Sequence, residues 1–200
     1  MAAIPQEQLL LALLTGYLLG SIPFGLILTR LAGKGDVRKI GSGNIGATNV
    51  LRAGGRWLAA ATLVLDALKA TAAVLIARAL WPGSETFAAA GALIGHLYPL
   101  WLKFRGGKGL ATYIGLLIPL FWPGAVIYAI VWIASALVFR ISSVAGMLAA
   151  ISAPIAAAAL GQRALFPMLL GFTLLVLWRH HENIARLRAG TEPKIGKQSD

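Results

Sequence analysis

The chain has 200 residues, 58% of them hydrophobic and 12% charged, where a soluble domain would carry about a quarter charged residues. That balance, with a mean hydropathy of +0.77, excludes an ordinary water-exposed fold, and the lack of cysteine excludes disulfides, thiolate metal sites and a cysteine nucleophile. The net charge of +11 could suit nucleic acid, but the cations gather at the ends of apolar segments, a pattern that fits membrane topology and anionic head groups.

Residues 1–8 lack the cationic start of a signal peptide and no small-residue cleavage site follows, so the first apolar stretch is expected to be a retained span. A helix crosses the hydrocarbon core with roughly 20 apolar residues. Spans are predicted at 9–31, 57–80, 86–102, 110–121, 125–139, 144–160 and 164–178. Turn signals divide them: Trp81-Pro82-Gly83-Ser84, Arg105-Gly106-Gly107-Lys108-Gly109, Trp122-Pro123-Gly124 and Gly161-Gln162. The fourth stretch is too short to cross unaided. It begins earlier, lies against other helices, or forms a re-entrant pair with the fifth. The expected fold is all-α: a polytopic membrane protein of about seven transmembrane helices, forming one embedded domain over residues 1–200 without internal repeats.

Lysine and arginine set the orientation. Segments 30–56 and 103–108, Arg140, and a tail carrying Arg179, Arg186, Arg188, Lys194 and Lys197 are basic. The alternate connections hold little beyond Arg78 and Arg163. An outside N-terminus and a cytoplasmic C-terminus satisfy this bias with seven spans; five would keep the same parity. Trp81, Trp101, Trp122 and Trp178 fall near span ends, as an interfacial aromatic belt does.

Three polar segments look excessive for connectors, and all fall on the predicted cytoplasmic side. The first is Gly41-Ser42-Gly43-Asn44-Ile45-Gly46-Ala47-Thr48-Asn49, bracketed by Lys34, Arg38, Lys39, Arg52 and Arg56. Glycines let backbone amides crowd a ligand, and the nearby cations make that ligand an anion, most plausibly phosphate. The bland alternative is a flexible glycine-rich loop. The second runs from Gly95-His96 through Lys103, Phe104, Arg105, Gly106, Gly107, Lys108 and Gly109 to Thr112. Glycines and a lysine leading into a helix make an anion site. Gly109 stands where a nucleotide loop needs Ser or Thr, so nucleotide hydrolysis is a weak reading. The competing account of Lys103, Arg105 and Lys108 is topology alone.

The third segment holds His180-His181-Glu182-Asn183 and Gly190-Thr191-Glu192. On a helix His180, Asn183 and Leu187 share one face, and two adjacent histidines cannot both point inward. A zinc site is disfavoured, since helical ligand pairs sit four apart and no carboxylate cluster completes a set. Asp66 and Lys69 lie one turn apart inside the second span, either as a structural ion pair or at a functional position. Arg140 with Ser142 and Ser143 either starts a cytoplasmic helix or offers groups to the same anion. His96 is equally readable as a satisfied interior histidine or a working one.

On these motifs the chain resembles, over essentially its full length, the bacterial acyl-phosphate-dependent glycerol-3-phosphate acyltransferases. Tyr98, where many members have Phe, and Arg105, where Lys is common, are small departures. The resemblance implies that the sn-1 hydroxyl of glycerol-3-phosphate attacks a fatty acyl phosphate, giving lysophosphatidic acid and inorganic phosphate at the bacterial inner membrane, with the active site facing the cytoplasm. No metal, cofactor, nucleic acid or obligate protein partner is demanded.

The implied catalytic set is His180, Asn183, Lys108 and Ser42. The implied substrate-binding set is Gly41, Gly43, Asn44, Gly46, Thr48, Asn49, Arg52, His96, Lys103, Arg105, Gly106, Gly107, Ser142, Ser143 and Glu192. In this reading Ser42, Asn44 and the Gly43 and Gly46 backbone bind one phosphate with Arg52 or Lys39. Lys108 and the Gly106 and Gly107 amides hold another, helped by Lys103 and Arg105. His180 or the substrate's own phosphate accepts the hydroxyl proton. A transporter and a membrane scaffold are the competing classes. Against a transporter, no paired halves appear and the motifs gather on one face rather than at the midplane; a scaffold would not require the glycine–asparagine run.

Overall fold

The computed structural model describes residues 4–195. Lys197 and residues 1–3 lie outside the described residues. Among those described there is no strand, in agreement with the expected all-α class. The chain divides into two compact units, Met1–Leu120 and Phe121–Asp200.

In the first unit the predicted opening span is broken. Helix α1 (Gln6–Gly20) and helix α2 (Phe24–Leu31) are separated by Ser21-Ile22-Pro23, where proline ends the regular hydrogen-bond ladder. A short 3₁₀ turn, Val37–Lys39, and helix α3 (Ala47–Gly54) flank the first polar segment. Helix α4 (Arg56–Leu80) is the long central element. Helix α5 (Glu85–Leu97) stops well before the predicted 102, because Pro99 follows and the chain turns through a second 3₁₀ piece, Leu100–Leu102. Helix α6 (Leu110–Leu120) closes the unit. At 11 residues it is about 16 Å long against a hydrocarbon core of about 30 Å, so it remains too short to cross unaided.

Small residues let these helices meet backbone to backbone. A Cβ on Gly16 or Gly20 of α1 would overlap the carbonyls of Ala88 or Ala92 on α5. One on Gly91 or Gly95 of α5 would overlap those of Leu13 or Tyr17 on α1. The opposite face of α1 presents Leu10, Leu14 and Leu18 outward, spaced four apart as a lipid-facing stripe. Gly115 brings α6 against Ala67 of α4, where Thr71 Oγ1 donates to the Gly115 carbonyl at 2.7 Å.

The second unit contains helix α7 (Trp122–Phe139), helix α8 (Ser142–Ala159), helix α9 (Phe166–Arg179) and the short helix α10 (His181–Arg188). Thr173 Oγ1 on α9 donates to the Ala150 carbonyl of α8 at 2.8 Å. After α10 the chain folds back, and the Ile195 amide donates to the Arg140 carbonyl at 2.7 Å, pinning the tail to the α7–α8 connection.

By length and apolar composition four stretches among the described residues could cross a membrane: Gln6–Leu31, Arg56–Leu80, Trp122–Phe139 and Ser142–Ala159. Leu110–Leu120 and Phe166–Arg179 are shorter apolar helices.

Candidate active site

The loop before α3 is built around one side chain. Asn49, 2% exposed, donates through Nδ2 to the carbonyls of Val37, Ile40 and Asn44 at 2.8, 2.9 and 2.8 Å. Its Oδ1 accepts from the Ser42 amide at 3.1 Å. Asn49 was expected to touch substrate; its amide instead ties the loop to itself. Gly41 and Gly43 have φ of 55° and 67°, the left-handed region that glycine enters without strain. Leu26, Val37, Ile45 and Val50 form the apolar floor.

The amides expected to face an anion here are already engaged. Gly43 N–H donates to the Ile40 carbonyl at 3.1 Å, and Gly46 N–H to Asn44 Oδ1 at 2.8 Å. Asn44 thus makes a turn with its own backbone rather than reaching outward. The groups this loop offers a ligand are the Ser42 hydroxyl and the cations of Arg52 and Lys39, with Thr48 exposed on the first turn of α3. Arg38 contributes less than its place suggests. Asp36 binds it at 2.6 Å and Arg30 at 3.1 Å. The Arg38 hydrogen bond holds the Asp36 carboxyl well below the usual carboxylate range and pushes the guanidinium of Arg38 up.

The second segment also departs from the expected amide cradle. Gly106 N–H donates to the Leu97 carbonyl at 3.1 Å and Gly107 N–H to the His96 carbonyl at 3.0 Å, stitching the turn onto the end of α5. The glycines are needed for close approach. A Cβ on Gly106 would overlap the carbonyls of His96 and Leu97, and one on Gly107 would overlap the His96 ring. Lys103 and Phe104 both adopt positive φ, 53° and 61°, costly for side-chain-bearing residues. The turn delivers half-buried Lys108 to the start of α6, while Lys103 and Arg105 are exposed. Thr112, in the first turn of α6, was assigned no role from sequence. Its hydroxyl is buried and, among the described residues, has no hydrogen-bond partner.

In the second unit the third segment converges on one carboxylate. Glu192 Oε1 accepts from Asn183 Nδ2 at 2.6 Å and Ser143 Oγ at 2.7 Å, and its Oε2 accepts from Arg186 Nε at 2.7 Å. Gly190, at φ 70°, ends α10 and turns Glu192 back onto it, with Thr191 N–H donating to the Arg186 carbonyl. Glu192 therefore orders Asn183 and Ser143 rather than reaching outward. Ser142 opens α8, half-buried. Arg186 was missed as a member of this set; the glycine-terminated helix with a cation four residues before that glycine was the available signal.

Burial pushes the Glu192 carboxyl up, but the hydrogen bonds from Ser143, Asn183 and Arg186 outweigh it and hold the group below its usual 4.5. A lowered folded-state value stabilises the fold above the unfolded value, and that contribution disappears as pH falls through the lowered one. Melting temperatures of wild type and Glu192→Gln should therefore differ near neutral pH and converge at acid pH. A pH-independent gap would remove the carboxylate from this role.

The adjacent histidines divide as expected. His180 is 1% exposed and His181 is exposed, its ring tilted against Trp178. His180 Nδ1 lies 2.7 Å from the Val176 carbonyl. A carbonyl only accepts, so Nδ1 carries a hydrogen in this contact, and in a neutral ring the lone pair is then on Nε2.

The model of the family described as glycerol-3-phosphate acyltransferase matches residues 10–190. A glycerol-3-phosphate acyltransferase of Bradyrhizobium sp. (strain BTAi1) is 58% identical, the match covering 96% of this chain and 98% of the relative. One of Rhodopseudomonas palustris (strain HaA2) is 59% identical over 94% and 95%. Two crystal structures of PlsY (YgiH), an integral membrane glycerol 3-phosphate acyltransferase, superpose at 36% identity. The glycerol 3-phosphate form has a TM-score of 0.89 and covers 94% of this chain and 96% of that one. The lysophosphatidic acid form has a TM-score of 0.86, covering 94% and 95%. The chain belongs to the glycerol-3-phosphate acyltransferase family and is a membrane-embedded, multi-pass acyltransferase of phospholipid synthesis.

Proposed function

We propose that the acyl donor is a fatty acyl phosphate and that the sn-1 hydroxyl of glycerol-3-phosphate is the acceptor. Lysophosphatidic acid and inorganic phosphate are the products. The observation that carries the reading is the buried His180, its Nδ1 2.7 Å from the Val176 carbonyl, three residues from an Asn183 clamped by Glu192. A relative solved in two forms, named for glycerol 3-phosphate and lysophosphatidic acid, supports the acceptor and the product.

In this mechanism Asn183 and His180 orient the glycerol hydroxyl. Its oxygen attacks the acyl carbon while His180 Nε2 accepts the proton. The C–O bond to the phosphate then breaks, and the proton passes to the departing phosphate. That leaving group is already an anion, so positioning and charge stabilisation supply the acceleration without an acyl-enzyme. Ser42 with Arg52 and Lys39 binds one phosphate; Lys108, with Lys103 and Arg105, neutralises another near the start of α6. Asn49, Asn44 and the glycines shape these loops. The enzyme acts as one domain in the bacterial inner membrane, crossing about seven times, with its N-terminus outside and these residues on the cytoplasmic side.

Purified full-length protein in lipidic micelles, given glycerol-3-phosphate, should release phosphate with acyl phosphate and show no turnover with acyl-CoA or acyl carrier protein. Turnover with a thioester donor alone would sink the donor assignment. Uptake of labelled glycerol-3-phosphate into sealed vesicles without phosphate release would favour transport.

A further inference from the structure

Lys69 sits in the middle of α4, 5% exposed, with the Phe24 ring 5.8 Å from its ammonium. An ammonium has three N–H donors and no lone pair. Three acceptors surround this one: Asp66 Oδ1 at 2.6 Å, the Ile22 carbonyl at 2.8 Å and His96 Nδ1 at 3.0 Å. Ile22 lies in the break between α1 and α2, and the end of α1 is the negative pole of a helix.

Because Lys69 only donates, His96 Nδ1 must accept. A hydrogen on Nδ1 would set two donors face to face at 3.0 Å. Asp66 Oδ1, at 3.9 Å, is too far to offer that hydrogen another acceptor. His96 is therefore a neutral imidazole with its hydrogen on Nε2. That edge lies against Gly107, where a Cβ would overlap Nε2 itself. The His96 carbonyl meanwhile accepts from the Gly107 amide. A buried ion pair is weak as a stabiliser and often replaceable by apolar residues. This one fixes the tautomer and orientation of a ring that supports the turn carrying Lys108.

We infer that Asp66 and Lys69 are positioning residues for acyl transfer: they hold His96 as the Nε2–H tautomer, with its donor edge on the Gly106-Gly107 turn. The link to catalysis rests on the phosphate role proposed above for that turn; the tautomer does not.

The chain has three histidines, so isotope-labelled histidine gives three ring systems in a micelle spectrum, His96 being assigned by its loss in His96→Gln. Without substrate, wild-type His96 should show the Nε2–H pattern. Lys69→Met should change that pattern and lower kcat/KM roughly 10–100-fold, the size of a lost charge-assisted hydrogen bond, mainly through KM for a phosphate substrate. A wild-type spectrum showing Nδ1–H or imidazolium overturns the inference, whether or not Lys69→Met folds. A folded Lys69→Met protein with an unchanged His96 signal or unchanged KM also overturns it. Wild-type protein with the Nε2–H pattern but no phosphate release would count instead against the function proposed for the turn.

Discussion

His180→Ala is expected to lower kcat by about 10²–10⁴-fold, the usual size of a general-base contribution, with a smaller change in KM. The imidazole is almost wholly buried and its Nδ1–H is committed to the Val176 carbonyl, one turn back on α9. Ring orientation is thus set by backbone, and Nε2 is the nitrogen on the far side of the ring from that carbonyl. The neighbouring His181 is exposed and bonded to the Trp178 carbonyl, so His181→Ala serves as the control and should keep near-wild-type rates. Steady-state phosphate release for both variants decides the matter. If His180→Ala kept wild-type kcat, the substrate's own phosphate would be the base, and the imidazole would be a packing element at the α9–α10 corner.

Gly107→Ala should be almost as damaging, costing roughly 10²-fold in kcat/KM, as a misplacement of about 1 Å does in a positioned site. The added methyl would occupy the space of the His96 ring, so either the ring or the turn must move. Movement of the turn displaces Lys108; movement of the ring breaks its contact with Lys69. The same substitution at Gly171, which has open space around it, should leave both activity and folding intact. Detergent-extracted yield and kinetics together separate outright misfolding from a folded protein with a displaced turn. Wild-type kcat/KM in Gly107→Ala would mean that the segment needs no such close approach.

The helical class and the three polar segments were legible because their signals are local: long apolar runs, and glycines set among cations. The interruptions were harder. Pro23 breaks a continuous apolar run that composition alone reads as one span, and Pro99 ends α5 inside another. Hydrogen-bond traffic within the loops was not legible. Whether a glycine amide meets a ligand or the Leu97 carbonyl depends on where a distant carbonyl comes to rest, which no spacing encodes. Asn44 and Asn49 read alike in sequence, yet one makes a local turn and the other ties the loop to residues up to 12 positions away. Arg186 was hidden in the same way, behind a fold-back that the Gly190 turn creates.

The Asn49 knot has a consequence for affinity. A glycine-rich loop ordinarily loses conformational entropy when a ligand orders it, and that loss weakens binding. Here the carbonyls of Val37, Ile40 and Asn44 and the amide of Ser42 are gathered by one buried amide side chain before any substrate arrives. The ordering cost is incurred once, at folding, and a phosphate bound as proposed for this loop would meet a preformed surface on every turnover.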